Sequence, residues 1–222
     1  MNKKVNSAEE AVKRIKDGDT VMVGGFMQGG IPEELVRALV DTNSADNLTI
    51  ISNDTGTPEL SIYRLVKSGR VKRIFASYIG SNPETGRLLM TKEADVQLFP
   101  QGTLAEKIRA GGAGLGGILT PVGVGTIVEE GKKKIKIDER EYLLELPLKA
   151  DVALIRAHKA DEAGNLVING SSRNFNLVMA TAAEYVVAQT DEYVKAGEID
   201  PNHINVPGIF VDAIVKVGGD NE

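Results

Sequence analysis

The sequence predicts an α/β fold: an open, largely parallel sheet with helices on both faces, plus a small β-hairpin element. Three observations carry that reading. Short apolar or β-branched runs at Leu48 to Ile51, Val71 to Ser77, Val96 to Phe99, Val152 to Ile155 and Tyr185 to Ala188 have the length of strands. Helical patterns such as Glu33 to Val40 and Glu59 to Val66 separate several of them, and such alternation implies parallel strands covered on both sides. The third observation is the run from Val21 to Pro32, which joins an apolar strand to a helix start through Gly24, Gly25, Gly29 and Gly30. At 222 residues the chain is long enough for one large domain, taken as residues 1–222.

Each element has a local reason. Ser7-Ala-Glu-Glu10 is a capping-box pattern that opens a short helix with Ala11, Val12 and Ile15 on one face, and Asp17-Gly18 ends it. The strand at Val21 then meets glycines, which lack a Cβ, take positive φ and let main-chain N–H groups approach a phosphate or an oxyanion. Pro32 fits the first helical position, where its missing N–H costs nothing. Thr103-Leu-Ala-Glu106 reads as a second capping box. Lys132 to Ile137 and Tyr142 to Leu146 read as a hairpin whose lysine-rich strand is a solvated sheet edge. The chain shows no internal repeat, low-complexity stretch or linker.

Composition removes several classes of function. A net charge of −5 supplies no basic field for nucleic acid, and the aromatic residues do not interleave with Lys/Arg clusters. Cysteine is absent, which excludes disulfides, thiolate metal sites and a cysteine nucleophile. The two histidines, His158 and His203, lack metal-ligand spacing, so no metal is expected. No segment approaches the ~18 apolar residues that span a bilayer, and a soluble, cytoplasmic protein is expected.

Glycine-rich spacing at Gly112-Ala-Gly-Leu-Gly-Gly117 matches a dinucleotide fingerprint, but that motif follows a strand and opens a helix. Here a helical pattern precedes it and Leu119-Thr-Pro-Val-Gly-Val-Gly125 follows, so no nicotinamide cofactor is expected. The glycines from Gly111 to Gly125 predict a loop lining a ligand channel instead.

In open parallel sheets, ligands collect beyond the carboxyl ends of the strands. The polar groups that follow the first four strands are Gly24 to Gly30, Asn53-Asp54, Ser77 to Asn82 and Pro100-Gln101. They predict one site built from several loops. The amide of Gln101 can donate to a carboxylate without the strong ground-state binding of a full cation, and Asn53 offers the same chemistry. Arg173 can pair with a phosphate or with a core carboxylate.

The spacing of Asp17-Gly18, Val21-Met22-Val23, Gly24-Gly25-Phe26, Gly30 and Pro32 resembles the first signature of the family I coenzyme A transferases. Ile51-Ser-Asn-Asp54, Ala76 to Gly86, Pro100 to Gly117, Thr120 to Thr126 and Ser172-Arg-Asn-Phe-Asn176 resemble the α subunit of the acetate or butyrate/acetoacetate type in that family. Leu177 departs from the pattern, since many relatives carry proline there.

The resemblance implies a transferase moving CoA between a short-chain acyl-CoA and a 3-oxoacid such as acetoacetate. It also implies CoA contacts at Gly24, Gly25, Phe26, Met27, Gln28, Gly29 and Gly30, and substrate positioning by Gln101 and Asn53. No catalytic residue is expected in this chain, because the nucleophilic glutamate of the family belongs to a β subunit within a Ser-Glu-Asn-Gly-type run that is absent here. An α2β2 assembly follows, with CoA as substrate and no tightly bound cofactor. The alternative is a non-catalytic module that binds acyl-CoA or a sugar phosphate, and the neighbouring reading frame discriminates between the two.

Overall fold

A computed structural model describes Lys3 and residues 7–218. Its main sheet follows from the apolar runs: β1 (Thr20–Val23), β2 (Leu48–Ser52), β3 (Val71–Ala76), β4 (Asp95–Leu98), then after an excursion β8 (Ala150–Asp161), β10 (Ala183–Val194) and β11 (Ala213–Lys216). They lie in the order β11-β10-β8-β1-β2-β3-β4, all parallel, and the short β9 (Leu166–Val167) pairs antiparallel with β8. The chain winds outward from β1 to β4, returns, and winds the other way from β8. The switch point lies between β1 and β8, the place where such sheets open a crevice for ligands.

Alternation along the strands splits the core in two. Val21, Val23, Ile50, Val152 and Leu154 face one side, packed against α1 (Ala8–Val12), α2 (Glu33–Thr42), α3 (Ser61–Lys67) and Leu88 of α4 (Pro83–Thr91). Met22, Ile51, Ala153 and Ile155 face the other, packed against α5 (Gln101–Gly112) and α6 (Phe175–Met179). Helices therefore cover both faces, as the alternation of elements predicts.

The excursion between α5 and β8 forms a separate antiparallel sheet in the order β5-β7-β6, from β5 (Ile118–Thr120), β6 (Lys134–Ile137) and β7 (Arg140–Glu145). The predicted hairpin is its β6–β7 half, turned by Asp138 at φ 52°. The lysine-rich β6 is the mostly exposed edge, and β5 adds a strand that the sequence pattern did not predict.

Two predicted helix starts shift. Pro32 is the N-cap of α2 rather than its first helical residue. Thr103 lies inside α5, which already begins at Gln101 behind Pro100, so Thr103-Leu-Ala-Glu106 forms no capping box. The proline fixes φ at −52° and sends the chain into the helix three residues early. At the first helix the Ser7 hydroxyl accepts from the Glu10 N–H at 3.2 Å, as its pattern predicts.

Gly112 closes a helix and β5 follows it, the reverse of a dinucleotide fingerprint. The glycines at 111 and 112 serve packing: a Cβ would meet the Leu148 carbonyl oxygen at 2.0 Å and Thr181 Oγ1 at 2.2 Å. That contact is at the amino-terminal edge of the sheet, away from the carboxyl ends of the strands, so these two glycines line no channel at the predicted site. The bend from Thr120 to Thr126 is different, because β5 runs back along α5 and delivers it to the helix's N-terminal end.

Candidate functional site at the switch point

Gly24 to Gly30 leaves β1 at the switch point and forms a tight hairpin, in which Phe26 and Gly29 exchange both N–H···O bonds at 2.9 Å. Phe26, Met27 and Gln28 form its exposed tip. Positive φ occurs at Gly25 (118°) and Gly30 (74°), but also at Met27 (50°), while Gly24 and Gly29 stay out of that region. A side chain in the left-handed region costs on the order of 1–3 kcal/mol and persists only where neighbours fix it.

Those neighbours are identifiable. Below the tip, the Asp54 carboxylate accepts from the Met27 N–H at 2.7 Å, from Asn53 Nδ2 at 2.9 Å and from the Gly56 N–H at 2.9 Å. On the other flank, Asn176 Nδ2 donates to the Gly30 carbonyl at 2.9 Å, and Asn174 Nδ2 donates to that of Gly29 at 3.1 Å. Asn176 is fully buried, and its Oδ1 accepts the Arg156 N–H of β8 at 2.9 Å. The run from Ser172 to Asn176 is thus a clamp that ties the loop of β1 to β8 across the switch point. Leu177 fits the clamp helix, since its N–H donates to the Asn174 carbonyl at 3.3 Å, a bond that proline would lack.

The glycines are required by this clamp. A Cβ on Gly24 would meet Asn176 Oδ1 at 1.9 Å, one on Gly25 would meet Ile31 at 2.8 Å, and one on Gly30 would meet Ser172 at 2.8 Å. Beneath the loop, Gly25, Met27, Asn53 and Asp54 enclose only about 10 Å³, room for roughly one water. The space under the loop therefore admits nothing larger than a water molecule.

Of the loop N–H groups, those of Phe26 and Gly29 pair with each other, Met27 donates to Asp54, and Gly24 donates to Leu154. Among the described residues, the N–H groups of Gly25, Gln28, Gly30 and Ile31 have no acceptor in the chain. The N-terminus of α2 is closed to anions, because the buried Gln189 of β10 accepts from the N–H groups of Glu34 at 3.0 Å and Leu35 at 3.4 Å. This junction is consequently unlike a phosphate-binding loop, in which the helix N-terminus receives the ligand.

Asn53 is 2 % exposed and its amide is occupied, donating to Asp54 and accepting from Ser77 Oγ at 3.0 Å. It supports the loop from within. Tyr78, whose N–H donates to the Asn53 carbonyl, is exposed on the same face. Gln101 is exposed at the first turn of α5, beyond the edge strand β4. Three strand spacings separate β4 from β1, or about 14 Å. The sheet thus brings Asn53 against the loop and places Gln101 at the far end of the same row.

Asp54, Asn174 and Asn176 carry the loop's geometry. For Asp54 and Asn174 the signal in the sequence was their place just after a strand or ahead of a helix, where short polar side chains bond the backbone, whereas Asn176 lies inside α6. His158 and His203 come together with Arg173 around a cavity of about 540 Å³. Arg173 Nε donates to the Ile168 carbonyl at 2.6 Å, which fixes the loop ahead of the clamp.

The antiparallel sheet is fastened to α5 by a buried charge cluster. Lys107 Nζ donates to Glu145 Oε2 at 2.8 Å, Lys132 bonds the other carboxylate oxygen, and the Lys107 ammonium lies 4.6 Å from the Phe99 ring centre. Burial works to raise the Glu145 carboxyl, but the two ammonium donors outweigh it and hold the group below the ordinary carboxylate range.

The profile of the Coenzyme A transferase family matches residues 5–217. Acetate CoA-transferase subunit alpha of Escherichia coli (strain K12) is 51% identical over 97% of this chain and 97% of its own length. The acetoacetyl-CoA:acetate/butyrate CoA transferase alpha subunit of Clostridium acetobutylicum is 50% identical over 97% of this chain and 99% of its own. Among solved structures, an acyl-CoA transferase from E. coli O157:H7 in a thioester complex with CoA superimposes with a TM-score of 0.88 at 28% identity, over 97% of this chain. The chain spans about half (47%) of the length of that protein. A match that runs from residue 5 to residue 217, with relatives 50–51% identical over 97% of the chain, places this chain in the coenzyme A transferase family.

Proposed function

We propose that the chain is the α subunit of a cytoplasmic CoA-transferase that moves CoA between a short-chain acyl-CoA, acetyl-CoA or butyryl-CoA, and a 3-oxoacid such as acetoacetate. The observation that carries this is a clamped loop with free N–H groups whose adjoining carboxylate, Asp54, is already occupied by three donors. The names of the α-subunit relatives support the reading. The nucleophile then comes from a β subunit seated over the carboxyl ends of the strands, in an α2β2 complex.

In this route the partner's glutamate attacks the acyl-CoA carbonyl, and the thiolate leaves to give a mixed anhydride. The thiolate next attacks the glutamyl carbonyl, releasing the first acid and leaving a glutamyl-CoA thioester. The second acid repeats both steps in reverse. Residues Gly24 to Gly30 supply preorganised N–H groups toward the thioester or pantetheine portion, Asn53 supports that loop, and Gln101 positions the acid carboxylate. CoA is a substrate here, and no tightly bound cofactor takes part.

Steady-state assays of the purified chain, the purified partner and their mixture test the proposal. Turnover is expected only in the mixture, and robust turnover by this chain alone would overturn it.

A further inference from the structure

A groove of about 490 Å³ opens between the first turns of α5 and the bend that follows β5. Its floor is Gly102 and Thr103, and its wall is Ile118, Leu119 and Val122. Leu119 and Val122 are 39% and 50% exposed, which leaves apolar surface at the groove uncovered by the described residues. At its head, α5 starts behind Pro100, which supplies no side-chain cap, so among the described residues the N–H groups of Gln101, Gly102 and Thr103 are unclaimed, while that of Leu104 donates to the Pro100 carbonyl at 2.9 Å. Thr103 is 4% exposed, and its hydroxyl oxygen, itself buried, has no hydrogen-bond partner among the described residues. One charged side chain borders the groove, that of Glu106, and it is acidic and paired with Arg109.

A groove with an anion-favouring head and an apolar wall fits a molecule with a carboxylate at one end and hydrocarbon at the other. We infer that this groove seats the carbon chain of the acid substrate, with Leu119 and Val122 setting preference for uncharged aliphatic chains over chains that end in a second carboxylate. The inference rests on the proposed transferase function, in which Gln101 meets the first carboxylate. Among the described residues, no cation lines the wall to receive a second one. The volume exceeds what a two-carbon acid fills, so chains of four to six carbons gain contact with the wall as they lengthen. The polar bend that presents the wall is fixed by the Val122 N–H, which donates to Thr120 Oγ1 at 3.2 Å.

The test uses the complex of this chain with its partner subunit, propionyl-CoA as common donor, and acetate, butyrate, hexanoate or succinate as acceptor. In the wild-type complex kcat/KM is expected to rise about two- to fourfold per added methylene group and to be lowest for succinate. Leu119→Asn and Val122→Asn should each lower the hexanoate-to-acetate ratio about tenfold. Val122→Arg, which places a cation on the wall, should raise the succinate-to-butyrate ratio.

Gln101→Ala separates this inference from the proposal beneath it. It should lower kcat/KM for every acid by about ten- to a hundredfold while leaving the chain-length slope in place. If Gln101→Ala changes nothing but the wall variants flatten the slope, the head-group placement fails and the groove stands. A wild-type slope of zero, or wall variants that keep the slope and instead weaken assembly with the partner, overturns the groove and makes it protein interface.

Discussion

A side chain at position 25 is refused by the loop's own packing. Gly25 has φ 118°, and a Cβ there meets Ile31 Cγ1 at 2.8 Å. Gly25→Val therefore acts by displacing the loop rather than by blocking a ligand, since the space it would enter is already occupied. The strain and overpacking together should cost on the order of 2–4 kcal/mol of stability. Activity in the complex should fall by more than about a hundredfold, because the free N–H groups of Gly25, Gln28 and Gly30 move with the turn. Thermal melting and kcat/KM of the reconstituted complex check both effects, and near wild-type activity would show that the loop's conformation is irrelevant to turnover. The glycines themselves were legible in the sequence. What made them necessary was not: Asn176 and Ser172 are some 150 positions away, and only the fold brings them against Gly24 and Gly30.

Among the elements, legibility tracked periodicity and length. The strands at Leu48 and Val152 announce themselves because both faces of a parallel strand are buried, giving near-continuous apolar runs, while that at Val71 keeps Lys72 and Arg73 exposed ahead of its apolar half. β8 and β10 extend well past their predicted runs, to Asp161 and Val194, since their outer halves pair with each other beyond the end of β1 and need no continuous apolar stretch. β5 has three residues and no readable alternation, so the antiparallel sheet appeared as a hairpin. The cluster that fastens that sheet was invisible because Lys107, Lys132 and Glu145 belong to three separate segments. Glu145→Gln should detach it. Lys107 is 6% exposed, and without a counter-charge its burial costs about 3–5 kcal/mol, which the molecule avoids by opening the sheet. Acid should act in the same direction. The Glu145 carboxyl is depressed in the folded state, so its contribution is intact above the unfolded value of about 4.3 and is lost as pH falls through the lower folded value. Limited proteolysis between residues 113 and 149 reads this directly. Cleavage there should rise in Glu145→Gln at pH 7 and in the wild type below about pH 4, and an unchanged pattern in the variant would remove the cluster from any fastening role.

At the scale of the whole molecule, the site combines a rigid end and a movable end. β1 is central in the sheet, with Val21 and Met22 fully buried and pairs to β2 on one side and β8 on the other. The loop it carries is held by Asp54 after β2 and by the Asn174–Asn176 clamp next to β8, so its position changes only if the sheet core opens. At the opposite end of the row, the groove wall belongs to the three-stranded sheet. That sheet meets the rest of the chain through α5, by the Lys107–Glu145 pair and the Leu148 N–H donating to the Lys107 carbonyl at 2.9 Å. Local stability follows the number of buried contacts, so the two ends should open with different free energies. Hydrogen exchange on the purified chain is expected to show the amides of Val21 to Val23 and Val152 to Ile155 exchanging only with global unfolding. Those of β5 and β6 should exchange at least about a hundredfold faster, and Glu145→Gln should speed the second group without changing the first. Such an order fits the proposed transferase, with the loop proposed to contact CoA held fixed while the groove wall opens between one substrate and the next. Equal protection at the two ends would mean that the antiparallel sheet opens only with the core, and the groove would then be a static surface.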